Sequence, residues 1–308
     1  MFSVIFPGQG SQLVGMGKEF FDKYDLVKKL FKEADDVLGF KISKIILDGP
    51  KEKLDLTINT QPAIFLISFS IYKLITQEFE KDLTKAKYFA GHSLGEYSAL
   101  SAAGYLNFSD TLKLLRTRGD AMQNSVPEGE GGMLAVLGST VNEIEKILDE
   151  MNIKSNIQIA NDNSESQLVL SGKINDLDRF SKILKLKNIK NLKLPVSAPF
   201  HCKLMSKAKE IMRKQIEELT FNDGKNILIS NVTADEIIGK NDLKKLLVDQ
   251  IENRVRWRES VINMTNKGVD HFIEIGPGKV LSGLVKRINK DVKINTINNE
   301  SDIIELNI

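Results

Sequence analysis

The chain has 308 residues, of which 42% are hydrophobic, so it can bury a large core in one large domain with a smaller one beside it. The formal net charge of +2 gives no support for binding to nucleic acid or to a membrane surface. The single cysteine, Cys202, excludes an intramolecular disulfide and suits a reducing cytosol. Met1 leads directly into a strand pattern rather than a signal peptide, and no apolar run reaches transmembrane length, so we expect a cytoplasmic protein.

The chain begins with a predicted strand and a glycine-rich loop. The apolar run Phe2–Phe6 predicts a buried strand that ends at a Pro-Gly turn. The loop at residues 7–17 holds four glycines, but a phosphate-binding loop would need lysine after Gly15, where Met16 stands. Backbone N–H groups of such a loop can face a developing negative charge; the alternative is a tight strand-to-helix turn.

Two helical patterns follow, at Asp25–Leu38 and at residues 60–79. Pro62 stands where we expect the first turn of the second helix, a position that tolerates proline. The apolar residues of this helix lie on several faces, which predicts a helix buried against a sheet. After Gly104, Ser109 is the predicted N-cap of a further helix that runs to about Ser125.

Residues 88–104 contain a Gly-x-Ser-x-Gly motif centred on Ser93. An apolar run precedes the motif, and a helical pattern of small residues follows it up to Gly104. Strand, sharp turn and helix are the context of a nucleophile elbow, in which the serine hydroxyl is exposed at the turn. The flanking Gly91 and Gly95 leave room for so tight a turn. The motif alone also fits a serine that only caps a helix.

After residue 126 the sequence predicts a separate small unit. The glycine-rich residues 127–132 indicate a linker, and strand and helix patterns then follow in the order βαββαβ, the ferredoxin-like arrangement. Asn161 stands at the end of the second of these strands, where simple turn chemistry also explains it. The predicted strands lie at 133–137, 157–160, 168–171 and 189–194, and the predicted helices at 141–151 and 175–187.

The chain offers three histidines as a base for a serine nucleophile. His92 adjoins Ser93, and successive side chains at a sharp turn diverge, while His271 opens a predicted strand. His201 follows a proline-constrained loop and begins a helical pattern, which is a plausible way to face a cleft. Cys202 as nucleophile would need the adjacent His201 as its base, a geometry that neighbours rarely reach, so we expect a packed small side chain. Three histidines without paired ligand spacing do not predict a zinc site.

The last third of the chain returns to alternating strands and helices. Such alternation is the signature of a mainly parallel sheet covered on both faces. We therefore expect an α/β fold with a large domain at residues 1–125 and 198–308 and a small domain at residues 126–197. The predicted strands lie at 226–231, 272–275 and Lys293–Ile297, and the predicted helices at 203–218, 242–252, 258–267 and Val280–Ile288.

Three separated motifs give the chain a family resemblance. The run Gly-His-Ser-Leu-Gly-Glu-Tyr-Ser-Ala-Leu at residues 91–100 resembles the malonyl-CoA:acyl carrier protein transacylases. Phe-Pro-Gly-Gln-Gly-Ser-Gln at residues 6–12 and Gly-Pro-Gly at residues 276–278 extend the resemblance over almost the whole chain. It implies an α/β-hydrolase-like core with a mainly parallel sheet and an inserted ferredoxin-like subdomain.

The resemblance also implies roles for single residues. Ser93 is the expected nucleophile and His201 its base. The side chain of Gln9 and the backbone N–H of Leu94 are the expected donors of the oxyanion hole. The backbone carbonyl of Gln250 is expected to receive the histidine N–H, and for that reason we expect Gln250→Ala to cost little.

By the same resemblance, Arg118 pairs with a substrate carboxylate. A guanidinium can hold a planar carboxylate through two parallel hydrogen bonds, which selects a malonyl group over an acetyl group. Without the resemblance, an arginine on a helix is more often a solvated charge, and Arg116 two residues earlier points to a different face. His92, Asn161 and Phe200 are further candidates for the cleft, and Phe200 is the residue that malonyl-specific relatives tend to carry.

The expected reaction transfers a malonyl group from malonyl-CoA to the phosphopantetheine thiol of acyl carrier protein through a malonyl-serine intermediate, and so supplies fatty acid synthesis. Malonyl-CoA is a substrate, and no permanently bound cofactor or metal is expected. Three alternatives stay open at this point: a serine hydrolase or thioesterase, an acyltransferase of polyketide assembly, and a non-catalytic acyl-binding protein. A free-standing chain favours the discrete fatty-acid enzyme.

A basic cluster in the predicted small domain is a candidate docking surface for an acidic acyl carrier protein. An ordinary solvated helix and strand face explains it equally well. The cluster consists of Lys182, Lys185, Lys187, Lys190 and Lys193.

Overall fold

The computed structural model describes residues 1–196 and 198–308, which form a mixed α/β fold with two separate sheets. The strands are β1 (Phe2–Phe6), β2 (Tyr88–Gly91), β3 (Gly131–Leu137), β4 (Ile157–Ser164), β5 (Gln167–Lys173), β6 (Lys190–Lys193), β7 (Ile227–Leu228), β8 (His271–Ile275) and β9 (Lys293–Ile297).

The helices alternate with most of these strands. They are α1 (Lys18–Lys23), α2 (Asp25–Leu38), α3 (Ile42–Asp48), α4 (Lys51–Leu54), α5 (Thr57–Gln77), α6 (Leu94–Ala102), α7 (Phe108–Gln123), α8 (Val141–Glu150), α9 (Ile174–Leu186), α10 (Ser206–Glu218), α11 (Lys240–Asp249), α12 (Trp257–Asn266), α13 (Val280–Ile288) and α14 (Glu300–Ile304). None of the described helices combines the length and the hydropathy needed to cross a membrane.

The larger sheet is parallel, as the alternation of strands and helices predicted, and its strand order is β7-β2-β1-β8-β9. β1 lies at its centre and pairs with β2 on one side and β8 on the other. Successive side chains of β1 enter different cores: Val4 and Phe6 pack on the α5 side, and Ile5 packs on the opposite face with Trp257 and Phe272. Both faces are covered here, which explains why the central strand β1 is apolar apart from Ser3.

Helix α5 is buried along most of its length, as its apolar faces predicted. The prediction of Pro62 in its first turn was wrong, because the helix begins at Thr57 and Pro62 lies inside it. A proline in a helix cannot donate a hydrogen bond to the carbonyl four residues earlier, which here belongs to Ile58. Arg116 on α7 fills this gap, since its Nη1 donates to the Ile58 carbonyl oxygen at 3.1 Å.

The N-cap of α7 also differs from the prediction. The cap is Asn107, whose Oδ1 accepts a hydrogen bond from the backbone N–H of Asp110 at 2.8 Å. Ser109 lies inside the first turn, and its Oγ donates to Glu33 instead. Asparagine and serine are both good caps, so local sequence could not decide between two candidates only two residues apart.

The smaller sheet is antiparallel, has the strand order β4-β5-β3-β6, and has its own core with α8 and α9. The chain order β3-α8-β4-β5-α9-β6 confirms the predicted βαββαβ sequence of elements. Two boundaries were wrong: Gly131 and Gly132 belong to β3 rather than to a linker, and β4 continues past Asn161 to Ser164. The predicted boundary residue Ser197 lies outside the described residues.

β4 joins the small sheet to the segment that precedes α12. Val255 donates its N–H to the Ala160 carbonyl at 2.8 Å, and its own carbonyl accepts the N–H of Asp162 at 2.9 Å. The Asp162 side chain is fully buried and accepts hydrogen bonds from two nitrogens of Arg258. Nη2 lies 2.8 Å from Oδ2, and Nε lies 3.0 Å from Oδ1. These contacts explain why the polar end of β4 is a strand and not a turn.

Two more boundaries were predicted imperfectly. The strand predicted at residues 226–231 is limited to Ile227–Leu228, because the N–H of Ser230 bonds to the carbonyl of Asp235 and the chain turns back there. The helix predicted at residues 242–252 is Lys240–Asp249 and ends just before Gln250. Gln250 therefore lies at the C-terminus of α11, where its carbonyl is free to contact another group.

Candidate active site

Ser93 lies on the sharp turn between β2 and α6. Its backbone has φ 54° and ψ −110°, a strained conformation for a residue with a side chain. A Cβ on Gly91 would lie 2.0 Å from the backbone carbon of Gly95, and a Cβ on Gly95 would lie 2.2 Å from the carbonyl oxygen of Phe6. Both positions therefore require glycine. The amide of Asn231 holds the turn, since the N–H of Ser93 donates to its Oδ1 at 2.8 Å.

The structure brings His201 to Ser93, as the sequence predicted. Ser93 Oγ lies 2.8 Å from His201 Nε2, and His201 Nδ1 lies 2.8 Å from the carbonyl oxygen of Gln250. A carbonyl accepts only, so Nδ1 carries the proton and Nε2 is left to accept from the serine hydroxyl. Burial, followed by the nearby charge of Arg118, lowers the pKa of His201 to about 3. The imidazole is neutral at pH 7 and can take up a proton from Ser93.

Arg118 reaches the same hydroxyl from α7. Its side chain is 1% exposed, and its Nη2 donates to Ser93 Oγ at 3.1 Å and to Gln250 Oε1 at 2.9 Å. Its Nη1 donates to Gln61 Oε1 at 2.7 Å. All three of these partners are uncharged, and burial lowers the pKa of Arg118 without removing its charge. The side chain is therefore a buried cation without a directly bonded anion among the described residues.

The side chain of Gln250 takes part in the site as well as its backbone. Its Nε2 donates to the carbonyl of Ser93 at 2.9 Å and to Glu96 Oε2 at 2.6 Å, while its Oε1 accepts from Arg118. The sequence argument considered only the backbone carbonyl and so expected Gln250→Ala to cost little. That premise was wrong, because truncation would remove a buried amide that bonds to these three neighbours and, at 3.4 Å, to Asn231 Oδ1.

The two expected oxyanion donors lie at the same cavity. Leu94 is the first residue of α6, where a backbone N–H has no partner inside the helix. The side chain of Gln9 lies in the loop after β1, and its Nε2 donates to Thr57 Oγ1 at 3.2 Å. The structure thus places the Leu94 N–H and the Gln9 amide on the lining around Ser93, where both could donate to an oxygen.

The cavity in front of Ser93 has a volume of about 220 Å³ and lies between the two sheets. Its apolar lining comes from α7, from β3 and β5, and from the segment after β6, so both halves of the fold contribute. Phe200, a sequence-predicted cleft residue, is part of it. Apart from Leu94 at the start of α6, the apolar lining residues are Met122, Met133, Ala135, Val169, Leu194, Val196 and Phe200.

His92 and Asn161 also line this cavity, as expected. His92 Nε2 lies 2.8 Å from Asn163 Oδ1 and 3.4 Å from Asn161 Nδ2, so it faces β4 and not Ser93. Burial lowers the pKa of His92, which keeps its ring neutral. Sequence reasoning missed Asn163 because the polar end of β4 resembled a turn.

The remaining candidates lie apart from this chemistry. His271 Nε2 contacts Asn295 on the neighbouring strand β9. Cys202 is buried, its Sγ contacts the carbonyl of Pro199, and burial raises the pKa of its thiol to about 11. A thiol of that kind is not a nucleophile at pH 7. Within residues 1–196 and 198–308, no group of His, Cys, Asp and Glu side chains is placed to hold a metal ion.

The fold and this geometry define a class: α/β proteins in which a serine on a strand-to-helix turn is hydrogen-bonded to a histidine. A family described as the acyl transferase domain matches residues 3–300. The malonyl CoA-acyl carrier protein transacylase of Bacillus subtilis (strain 168) is 41% identical over 99% of this chain and 95% of its own length. The transacylase of the same name from Escherichia coli (strain K12) is 38% identical over 97% of this chain and 96% of its own.

Solved structures agree with these relatives. The acyl-carrier-protein-S-malonyltransferase of Bartonella henselae has a TM-score of 0.95 and 40% identity, covering 98% of this chain and 97% of its own. A malonyl-transacylase solved in complex with its type II PKS acyl-carrier protein has a TM-score of 0.94 and 36% identity, covering 98% of this chain and 97% of its own. The chain belongs to the malonyl CoA-acyl carrier protein transacylase family of acyl transferases.

Proposed function

We propose that the protein transfers a malonyl group from malonyl-CoA to the phosphopantetheine thiol of acyl carrier protein, through an ester on Ser93, for fatty acid synthesis. One observation carries the proposal beyond family membership: a neutral histidine and a buried arginine both reach the Ser93 hydroxyl, at 2.8 Å and 3.1 Å. The histidine serves acyl transfer in general. The arginine serves an acyl group that itself carries a negative charge.

In the first half-reaction, Ser93 Oγ attacks the thioester carbonyl while His201 Nε2 takes its proton. The oxygen that becomes negative is stabilised by the N–H of Leu94 and a donor from Gln9. The tetrahedral intermediate then collapses, the C–S bond breaks, and CoA leaves as its thiol with the proton from His201. The malonyl group is now an ester of Ser93.

In the second half-reaction, the phosphopantetheine thiol of acyl carrier protein gives its proton to His201 and attacks the ester carbonyl. The same oxyanion donors serve this intermediate, and Ser93 leaves with the proton from the imidazole. Arg118 holds the free carboxylate through both halves, so the acyl group stays in place while the two thiols exchange. The carboxylate also supplies the anion that the buried guanidinium lacks.

The Gln250 carbonyl takes the place that a carboxylate occupies in many serine hydrolases. It fixes the tautomer of His201 without adding a negative charge. The imidazole is then a weaker base than one held by a carboxylate, which is sufficient here because a thiolate is a good leaving group. Arg118 nearby makes the imidazole less basic still.

Finer features of the architecture belong to the same proposal. We propose a ferredoxin-like insert at residues 126–197 within an α/β-hydrolase-like large domain at residues 1–125 and 198–308. The strand order β4-β5-β3-β6, with the first and third strands of the insert at its centre, supports the ferredoxin-like assignment.

The single unpaired cysteine fits a reducing cytosol. The reaction as derived uses side chains and backbone groups and requires no bound cofactor.

Intact mass after a brief incubation with malonyl-CoA tests the proposal. We expect one malonyl adduct that is absent in Ser93→Ala and disappears when phosphopantetheinylated carrier protein is added. Arg118→Ala should lose malonyl adduct and gain relative reactivity with acetyl-CoA, whereas Arg213→Ala, a half-exposed arginine on α10, should match the wild type. Steady release of malonate without an adduct would instead identify a hydrolase. If neither the wild type nor Ser93→Ala forms an adduct or releases malonate, the protein is an acyl-binding protein.

A further inference from the structure

Glu96 is a buried acid beside the site that the proposed reaction does not use. It lies in the first turn of α6, and only 1% of its surface is exposed. Its Oε2 accepts hydrogen bonds from Gln250 Nε2 at 2.6 Å and from the backbone N–H of Asn231 at 3.3 Å. Its other oxygen has no hydrogen-bond partner in the described part of the chain. Burying a carboxyl group is unfavourable unless hydrogen bonds compensate, and here only one of its two oxygens has them.

Glu96 Oε2 at 2.6 Å and the Ser93 carbonyl at 2.9 Å together determine how the amide of Gln250 is turned, and Glu96 makes the shorter contact. An amide has two unlike ends, and the oxygen of Glu96 that accepts a hydrogen bond can be faced only by the nitrogen end. The oxygen end then faces Arg118 Nη2 at 2.9 Å. If the amide turned over, its NH2 group would face the guanidinium, and two sets of donors would oppose each other.

Asn231 extends the arrangement to the nucleophile turn. Its N–H donates to Glu96, its Oδ1 accepts the N–H of Ser93 at 2.8 Å, and its Nδ2 donates to the Gly91 carbonyl at 2.7 Å. One carboxyl oxygen therefore meets both the amide that orients Arg118 and the backbone of the residue that holds the Ser93 turn.

We propose that Glu96 is a positioning residue for acid recognition: through the oriented amide of Gln250, it holds the Arg118 guanidinium beside Ser93 Oγ, where the carboxylate of the acyl group binds. The inference rests on the proposed function. It concerns which acyl group is accepted, because His201 contacts the backbone carbonyl of Gln250 and not its side chain.

The protonation of Glu96 is consistent with this role. Burial raises its pKa to about 7, so near neutral pH the group is partly uncharged and does not fully offset the charge of Arg118. Orienting the amide needs only an acceptor oxygen, which a neutral carboxyl or a glutamine also provides.

Glu96→Ala and Glu96→Gln separate the acceptor role from a merely structural one. The measurement is the ratio of kcat/KM for Ser93 acylation by malonyl-CoA and by acetyl-CoA. We expect Glu96→Ala to lower this malonyl-to-acetyl ratio by about tenfold, because the amide loses the shortest of the contacts that orient it. Glu96→Gln should keep the ratio within about threefold of the wild type, since it retains an acceptor oxygen.

Gln250→Ala and the double variant Glu96→Ala/Gln250→Ala complete a cycle. Because Glu96 acts through Gln250, the double variant should have the same ratio as Gln250→Ala alone. Glu274→Ala is the matched control: Glu274 is also buried, but its carboxylate accepts the N–H groups of Leu281 and Ser282 at the start of α13. It should lose stability and keep the wild-type ratio.

An unchanged ratio in Glu96→Ala, or an equal loss in Glu96→Gln, would overturn the inference. If Glu96→Ala does not fold, the test uses the malonyl-to-acetyl ratio of Gln250→Ala, measured once in the wild-type protein and once in Glu96→Gln. The inference requires a lowered ratio in both backgrounds, and a wild-type ratio in either refutes it. A wild type that forms no Ser93-dependent malonyl adduct would refute the proposed function itself, and so the two failures are distinguishable.

Discussion

His201 works in surroundings that oppose its protonation. The ring is buried, the charge of Arg118 lies nearby, and the Gln250 carbonyl offsets these effects only in part. In a serine hydrolase with a buried carboxylate behind the histidine, the imidazolium is stabilised by a full negative charge. Here it is not, and the protonated state should be short-lived in each half-reaction.

The rate of Ser93 acylation should therefore be nearly independent of the titration of His201 between pH 8 and pH 5. Its pKa is lowered to about 3, so the neutral base persists as the pH falls and is lost only near that value. The measurement is the pH profile of malonyl adduct formation by rapid quench and mass. Glu96→Gln is the control, because it removes the neighbouring acid that titrates near pH 7. Loss of half the rate near pH 6.5 in both proteins would contradict the expectation.

Sequence predicted the reacting pair and the Gln250 carbonyl behind His201, but not the buried side chains that hold the Ser93 turn and the Arg118 guanidinium. Ser93 lies in a motif whose glycines are required by close backbone contacts, and such a local requirement is visible in a sequence. Gln61 and Asn231 reach the site from α5 and from the loop after β7, and a buried amide has no local pattern that marks it. Glu96 lay inside the recognised motif. A charged residue in the otherwise apolar, small-residue stretch of α6 could have marked it as a buried polar group.

At the scale of elements, two of the errors share one cause. α5 begins before its proline, and β4 continues through four polar residues, because distant groups satisfy the backbone in both cases. Arg116 supplies the donor for α5, and Val255 supplies the pairing for β4. Local propensity alone predicts a helix start at the proline and a turn at the Asn-rich stretch.

The ion pair between Arg258 on α12 and Asp162 on β4 should contribute strongly to stability. Asp162 is 0% exposed, so Arg258→Ala would leave a buried carboxylate without its cation, and we expect a loss of about 3–5 kcal/mol in the free energy of unfolding. Urea denaturation measures it. Lys154→Ala, which removes a pair with Asp149 in which both side chains are about half exposed, should cost no more than about 1 kcal/mol. Equal losses in the two variants would refute this account.

At the scale of the whole molecule, a near-neutral chain carries an uneven surface. The lysines on α9 and β6 are exposed, and only Lys193 among them has an acidic partner, Asp178, in the described part of the chain. Leu186 at the end of α9 and Leu192 on the edge strand β6 are also exposed. The sequence hypothesis assigned the basic cluster of this face to an acidic carrier protein, and that assignment stays a prediction.

Reversing the charge of Lys182 and Lys185 to Glu should slow malonyl transfer to carrier protein by about tenfold at low salt, because long-range attraction raises the association rate. Acylation of Ser93 by malonyl-CoA should not change. The comparison is transfer rate against ionic strength, with Lys29→Glu/Lys44→Glu on α2 and α3 as a control of equal charge. Wild-type transfer at low salt, or equal slowing in the control, would remove this face as the docking surface.

The join between β4 and Val255 has a consequence for how such a protein can diversify. The same short segment carries the carbonyl that holds His201 at one end and the pairing partner of the inserted sheet at the other. Strand β4, which lines one wall of the acyl cavity, is thus hydrogen-bonded to the same short segment that supports the base. A chimaera that exchanged residues 126–197 alone would keep Arg258, so we expect it to fold stably only when the incoming insert also carries a carboxylate at the position of Asp162.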